Sequence, residues 1–124
     1  MSAQVRMDRM KVHVGSDLAD ASERMLDAVA RFERGESVEE NHVSFESWAA
    51  LFSTLTPKRY ELLRHVHQHP EKSIRSLARA LDRDFRRVYD DVRALVDAGL
   101  LEADEQGLRA EYEAVEVPRT KIAL

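Results

Sequence analysis

The strongest constraint on this chain is the pattern of residues 73–101, SIRSLARALDRDFRRVYDDVRALVDAGLL, which prescribes a short helix, a tight turn and a longer helix running into an apolar strand. Ser73 suits a helix N-cap, because its side-chain oxygen can accept one of the orphan amide protons at the helix start. Ile74, Leu77, Ala78 and Leu81 recur at helical spacing and give one apolar stripe. Asp82, Arg83 and Asp84 break the stripe where a turn is needed. Phe85, Val88, Val92, Leu95 and Val96 then share one arc of the second helix, which leaves Arg86, Asp90, Arg93 and Asp97 on the opposite side and Arg87 at the border. Gly99 is the expected stop, since glycine takes a left-handed backbone conformation without steric cost. Leu100 and Leu101 open what is expected to be a buried strand.

Such a unit is the pattern of a helix-turn-helix. An α-helix fits the major groove of B-form DNA, and the first residues of the second helix are the ones that reach base edges. Arg83, Arg86 and Arg87 stand there, with Asp90 one turn further, and are the expected base-reading set; arginine pairs in bidentate fashion with guanine O6 and N7. Lys72, Ser73, Arg75, Ser76 and Arg79 belong to the first helix and its entry. In this geometry they would lie on the phosphate backbone and position the protein without reading sequence.

The competing interpretation is a solvated face, in which Asp82, Asp84, Asp90 and Asp91 pair with the arginines as surface salt bridges of little worth. Net charge separates the two. Residues 72–93 carry seven basic and four acidic side chains, a local balance of +3, whereas the whole chain of 124 residues stands at −4. A reversal of sign against an acidic background is the electrostatic footprint of a DNA-facing patch.

The remaining sequence supplies a frame for this unit. Residues 1–55 hold six basic and ten acidic residues, so the acidic half is a poor DNA-binding face. Within it, Met10, Val12 and Val14 alternate with polar residues, a strand signal. Gly15 and Ser16 close that strand and cap a helix running to about Arg34. Leu18, Ala21, Met25, Ala28 and Phe32, widened by Leu26 and Val29, give this helix a stripe that must be buried against its own chain or a second copy. Leu18, Met25, Val29 and Phe32 are the expected dimerisation residues. A short strand at residues 42–45 and a helix capped by Ser47 with Trp48, Leu51 and Phe52 follow. Thr56 and Pro57 start the next helix, with proline at the position where its missing amide proton matters least. Tyr60, Leu63, Val66 and His67 are its expected inward face.

After Gly99 the pattern changes to period two. Leu101 and Ala103 lead to a turn at residues 105–107, and Leu108, Ala110 and Tyr112 return, as in a β-hairpin. Val115, Val117 and the tail at residues 122–124 could add a strand, with Pro118 as an edge or break. The expected fold is therefore α+β, a winged helix-turn-helix with a three-helix core and a β-wing. It divides into an N-terminal strand-helix extension over residues 1–46, for dimerisation or partner binding, and a DNA-binding domain over residues 47–124. The wing itself is acidic: residues 94–117 hold seven acids and a single cation, Arg109, the one candidate there for a phosphate contact.

Composition removes several other functions. The absence of cysteine excludes disulfide scaffolds and thiolate metal sites. No run reaches the length of a membrane span and no signal peptide is visible, so a cytoplasmic protein is expected. His65, His67 and His69 lack a further ligand nearby in sequence, so no metal and no cofactor is expected. Neither a glycine-rich phosphate loop nor a nucleophile elbow appears, which argues against an enzyme. Trp48, Phe52 and Tyr60 fall on apolar stripes and are expected in the core.

The pieces LTPKR at residues 55–59, SIRSLARAL at 73–81 and DFRRVYDDVRAL at 84–95, with the preceding KVHVGS and the acidic helix, resemble a family of small MarR-like winged-helix transcriptional regulators of archaea and bacteria. The resemblance implies a transcriptional regulator; with the basic cluster and the N-terminal stripe, the expected function is a sequence-specific DNA-binding regulator, a homodimer on double-stranded DNA, acting as a repressor, with its own operon as one candidate target. Members are often encoded beside a small partner in toxin-antitoxin-like operons. The alternative is an antitoxin that neutralises a toxin protein through its acidic N-terminal half, whose charge would suit a basic surface.

Overall fold

The computed structural model describes residues 9–15, 18–35, 41–112 and 114–117, and of residues 18–24, 28 and 41 it describes the backbone alone. Ser16, the tail beyond residue 117, and the side chains of Leu18, Ala21 and Ala28 fall outside the described part. The architecture is mixed α and β. Strand β1 (Arg9–Val14) is followed by helix α1 (Leu18–Glu33), strand β2 (Asn41–Phe45) and helices α2 (Trp48–Thr54), α3 (Pro57–Gln68), α4 (Ile74–Leu81) and α5 (Phe85–Asp97). Three short strands complete it: β3 (Glu102–Asp104), β4 (Gly107–Arg109) and β5 (Ala114–Glu116). Among the described residues no helix is long and apolar enough to cross a membrane.

Local chemistry accounts for most of the boundaries. Ser47, Thr56, Ser73 and Asp84 each sit one residue before a helix and accept an amide proton from its first turn. The α4–α5 turn is tight because Asp82 adopts a left-handed conformation, φ 52° and ψ 51°, which a short polar side chain tolerates better than most.

Beyond these ends, packing decides. The core gathers Leu62, Leu63 and Val66 of α3, Leu77 and Ala78 of α4, and Val88, Val92 and Leu95 of α5, closed by Leu100, Leu101, Leu108, Ala110 and Tyr112. The Tyr112 hydroxyl donates to the Leu100 carbonyl at 2.5 Å, and burial pushes its pKa upward. Tyr60 is 52% exposed, contrary to the apolar pattern. The inward arc of α3 begins instead at Arg59, whose guanidinium is drawn inside by Asp91 at 3.0 Å, and this turns Leu62 inward and Tyr60 out. Phe52 is likewise outside the core at 63% exposure, leaving Trp48 partly buried against it. Ala103 also faces solvent, so the β3 alternation does not continue that of Leu101.

Two sheets flank the helices. One is parallel, in the order β2-β1-β5, with Val12 opposite Val43 and Met10 opposite Val115. Met10 and Val12 are buried in the same core as α3–α5, so β1 and β5 tie the beginning of the chain to its end. The other sheet is the β3–β4 hairpin, with Ala103 opposite Leu108. The hairpin is fastened to the segment before α4: the Leu108 amide donates to the Glu71 carbonyl at 2.7 Å and the Glu71 amide to the Leu108 carbonyl at 3.2 Å. Gly107 permits this approach. Its φ is +123°, and a Cβ there would collide with the Glu71 carbonyl oxygen.

Candidate nucleic-acid interface

The helices α4 and α5 and the turn between them form an open cleft of about 700 Å³, lined by Arg75, Ala78, Arg79, Asp82, Arg83, Asp84 and Phe85. Arg75 and Arg79 are exposed along α4, a turn apart. Arg86 and Arg87 are exposed on the first turn of α5. Among the described residues, no carboxylate lies within ion-pair distance of Lys72, Arg75, Arg79 or Arg87. Arg86 reaches Asp90 at 3.6 Å, but both side chains are more than half exposed, so solvent screens that pair and it holds the guanidinium weakly.

Three of the expected contact residues are engaged elsewhere. Arg83 donates to Asp91 at 2.7 Å, and its side chain is only 18% exposed. Asp91 also receives Arg59, whose Nη1 binds the carbonyls of Ser53 and Thr54 at the end of α2. Arg83 is therefore a brace between the turn and α5, and it is not presented toward a base edge.

Ser76 is the second. It completes a capping box with Ser73 and donates its hydroxyl proton to Glu71 at 2.8 Å, leaving no proton for a phosphate. The Ser73 hydroxyl accepts the Ser76 amide at 3.0 Å, so its main service is also to the helix start.

Arg109 is the third. It lies against Asp104 at 2.5 Å, Glu102 at 3.2 Å and Glu111 at 3.6 Å. The hydrogen bond from Arg109 holds the Asp104 carboxyl down at about 2, and the pKa of Arg109 rises in return. A cation surrounded by three carboxylates offers little net charge to a phosphate.

Two features escaped the sequence pattern. Phe85, assigned there to the apolar arc, is 39% exposed, with the Arg75 guanidinium 4.7 Å above its ring centre. Tyr89 follows at 6.2 Å between ring centres, and Arg86 lies 5.6 Å over Tyr89. Position could have warned of this, because the first residue of a helix has no preceding turn to shelter it. The second feature is Glu71, which pairs with His65 at 3.0 Å and accepts from Ser76. The His65 hydrogen bond is the main cause that lowers its pKa, against an opposing contribution from burial. Nothing in local spacing joins residues 65, 71 and 108.

Two of the clustered histidines have partners of other kinds. His65 is on Glu71, and the His67 Nδ1–H donates to the Ala110 carbonyl at 2.7 Å. Among the described residues, no group of three metal-binding side chains comes together.

The fold and site thus define a small mixed α and β protein with an arginine-lined cleft between two consecutive helices. The chain belongs to the HVO_A0114 family, whose model matches residues 54–117, just over half of its length. That match runs from the end of α2 to the residue after β5 and contains the whole cleft. No curated protein and no solved structure matches the chain.

Proposed function

We propose that this protein is a sequence-specific DNA-binding regulator of the winged helix-turn-helix type, in which α5 enters the major groove and β3–β4 is the wing. The observation that carries this is the set of exposed cations on α4 and at the start of α5, facing solvent without tight carboxylate partners. Arg86 and Arg87 suit base edges, with Asp90 beside them as a candidate partner for cytosine amino groups. Lys72, Arg75 and Arg79 suit phosphates. Arg83 serves the same site indirectly, by setting the angle between α4 and α5 through Asp91.

We infer a homodimer as the working form, on the evidence of α1. Met25, Leu26, Val29 and Phe32 are 70%, 70%, 46% and 74% exposed, a row of large apolar side chains on one helix. Contiguous exposed apolar surface of this kind marks an interaction site, and a two-fold pair would present two α5 helices to half-sites about one helical turn apart.

The test is binding of wild type and Arg86→Ala/Arg87→Ala to sequences enriched from a randomised duplex library and to random duplex. The double variant is expected to keep the fold and lose the discrimination. Equal discrimination in the two proteins would remove the base-reading assignment.

A further inference from the structure

We propose that Phe85 reads the 5-methyl group of a thymine in the major groove, with Arg75 and Tyr89 holding its ring for that contact; this rests on the DNA-binding function proposed above. Phe85 is the first residue of α5, and 39% of it is exposed, although Val88 and Val92 further along the same arc are buried. The ring is held from two sides, by the Arg75 guanidinium 4.7 Å over its centre and by Tyr89 at 6.2 Å with an angle of 37° between planes. Arg86 then lies over Tyr89 at 5.6 Å. Two guanidinium groups and two rings therefore form a row that passes from α4 onto the first turn of α5.

The chemistry of the groove identifies what such a ring can meet. Its neighbours in the cleft include Arg75 and Arg79, which draw in a polyanion. A phosphate offers nothing to a phenyl ring. Among the groups that bases project into the major groove the thymine methyl is the one bulky apolar group; cytosine carries only a C5–H in its place, and the other prominent groups are hydrogen-bond donors or acceptors. The phenyl ring can satisfy none of the polar groups, so the methyl is the partner against which it buries the most apolar surface without stranding a donor or acceptor. Insertion between base steps is the other use of an exposed apolar side chain on DNA, and it belongs to minor-groove wedges. With Arg75 over one face, the Phe85 ring does not offer the two open faces that a wedge between base pairs uses. A preferred half-site should accordingly combine guanines, for Arg86 and Arg87, with a thymine next to them.

Replacing thymine by deoxyuridine removes only the methyl and tests this directly. Sequences enriched by the wild-type protein from a randomised duplex library are resynthesised with each thymine replaced in turn, and Kd is measured by fluorescence anisotropy. At one thymine per half-site the replacement should weaken the wild type roughly fourfold, the worth of burying one methyl-sized group. Phe85→Ala should bind the two duplexes equally, and so should Phe85→Gln, which retains side-chain length without an apolar end. Indifference of the wild type to deoxyuridine at every position, or a fourfold preference that survives in both variants, overturns the proposal and leaves DNA binding standing. Failure to enrich any sequence would remove the DNA-binding function itself, and this inference with it.

Discussion

Asp91 holds Arg83 at 2.7 Å across the turn that joins α4 to α5, and the same carboxylate holds Arg59 from the start of α3 at 3.0 Å. All three side chains are less than a quarter exposed. The contact therefore fixes the relative placement of the helices that carry the exposed arginines.

Removing that carboxylate should be costly. Asp91→Ala leaves two partly buried guanidiniums without their counter-charge, and one Arg83 nitrogen, Nη1, already lacks a partner. A loss of about 2–3 kcal/mol is expected, below the range for fully buried pairs because some water reaches these groups. Urea denaturation measures it. A change under 0.5 kcal/mol would show that solvent compensates both arginines.

The exposed cations and the hairpin cation should behave differently toward salt. Lys72→Ala and Arg79→Ala should each weaken binding to enriched and random duplex alike and reduce the slope of log K against log salt by about 0.9. Arg109→Ala should leave the slope unchanged, because Glu102, Asp104 and Glu111 already neutralise it. A drop in slope for Arg109→Ala would restore the hairpin as a phosphate contact.

The Asp104 carboxyl supplies a pH marker for the hairpin. Its pKa is depressed from 3.8 to about 2, first by the Arg109 hydrogen bond and next by the Gln106 amide. Its contribution to folding is thus complete above pH 3.8 and is lost as pH falls through about 2. Carboxyl-detected NMR should place the midpoint near 2 in the wild type, and Arg109→Ala should move it back toward 3.8. An unmoved midpoint would mean that the backbone amides alone hold the charge.

The α1 stripe should govern assembly. Met25→Asp combined with Phe32→Asp alters two side chains that are 70% and 74% exposed, so the protomer fold should survive with its circular dichroism intact. Light scattering should report a monomer where the wild type is a dimer. If the mass is the same in both proteins, these residues are not the dimer contact.

Legibility from sequence followed the range of the interaction. Ser73 and Gly99 act within one helical turn of themselves, so the start of α4 and the end of α5 could be read from neighbours alone, whereas Asp84, read only as part of the turn, also caps α5. The basic cluster was equally local, and Arg75, Arg79, Arg86 and Arg87 are exposed as charge counting suggested. Arg59 and Arg83 were not legible, because the carboxylate that draws them inward lies 32 and 8 residues away and sequence shows a cation only as something to solvate. The parallel pairing of β1 with β5 joins residues more than 100 positions apart. Alternation marks Val115 as strand without saying which strand it joins.

The paired backbone of Glu71 and Leu108 bears on how a load on the hairpin would be felt by the rest of the molecule. The hairpin and the entry to α4 share two hydrogen bonds, and the Glu71 side chain continues the linkage to His65 on α3. Tilting the hairpin would strain this linkage before it strained the loop. The β3–β4 arm is thus less a free finger than a lever clamped at its root, and a force applied to its tip would be delivered to α4, where Arg75 and Arg79 stand.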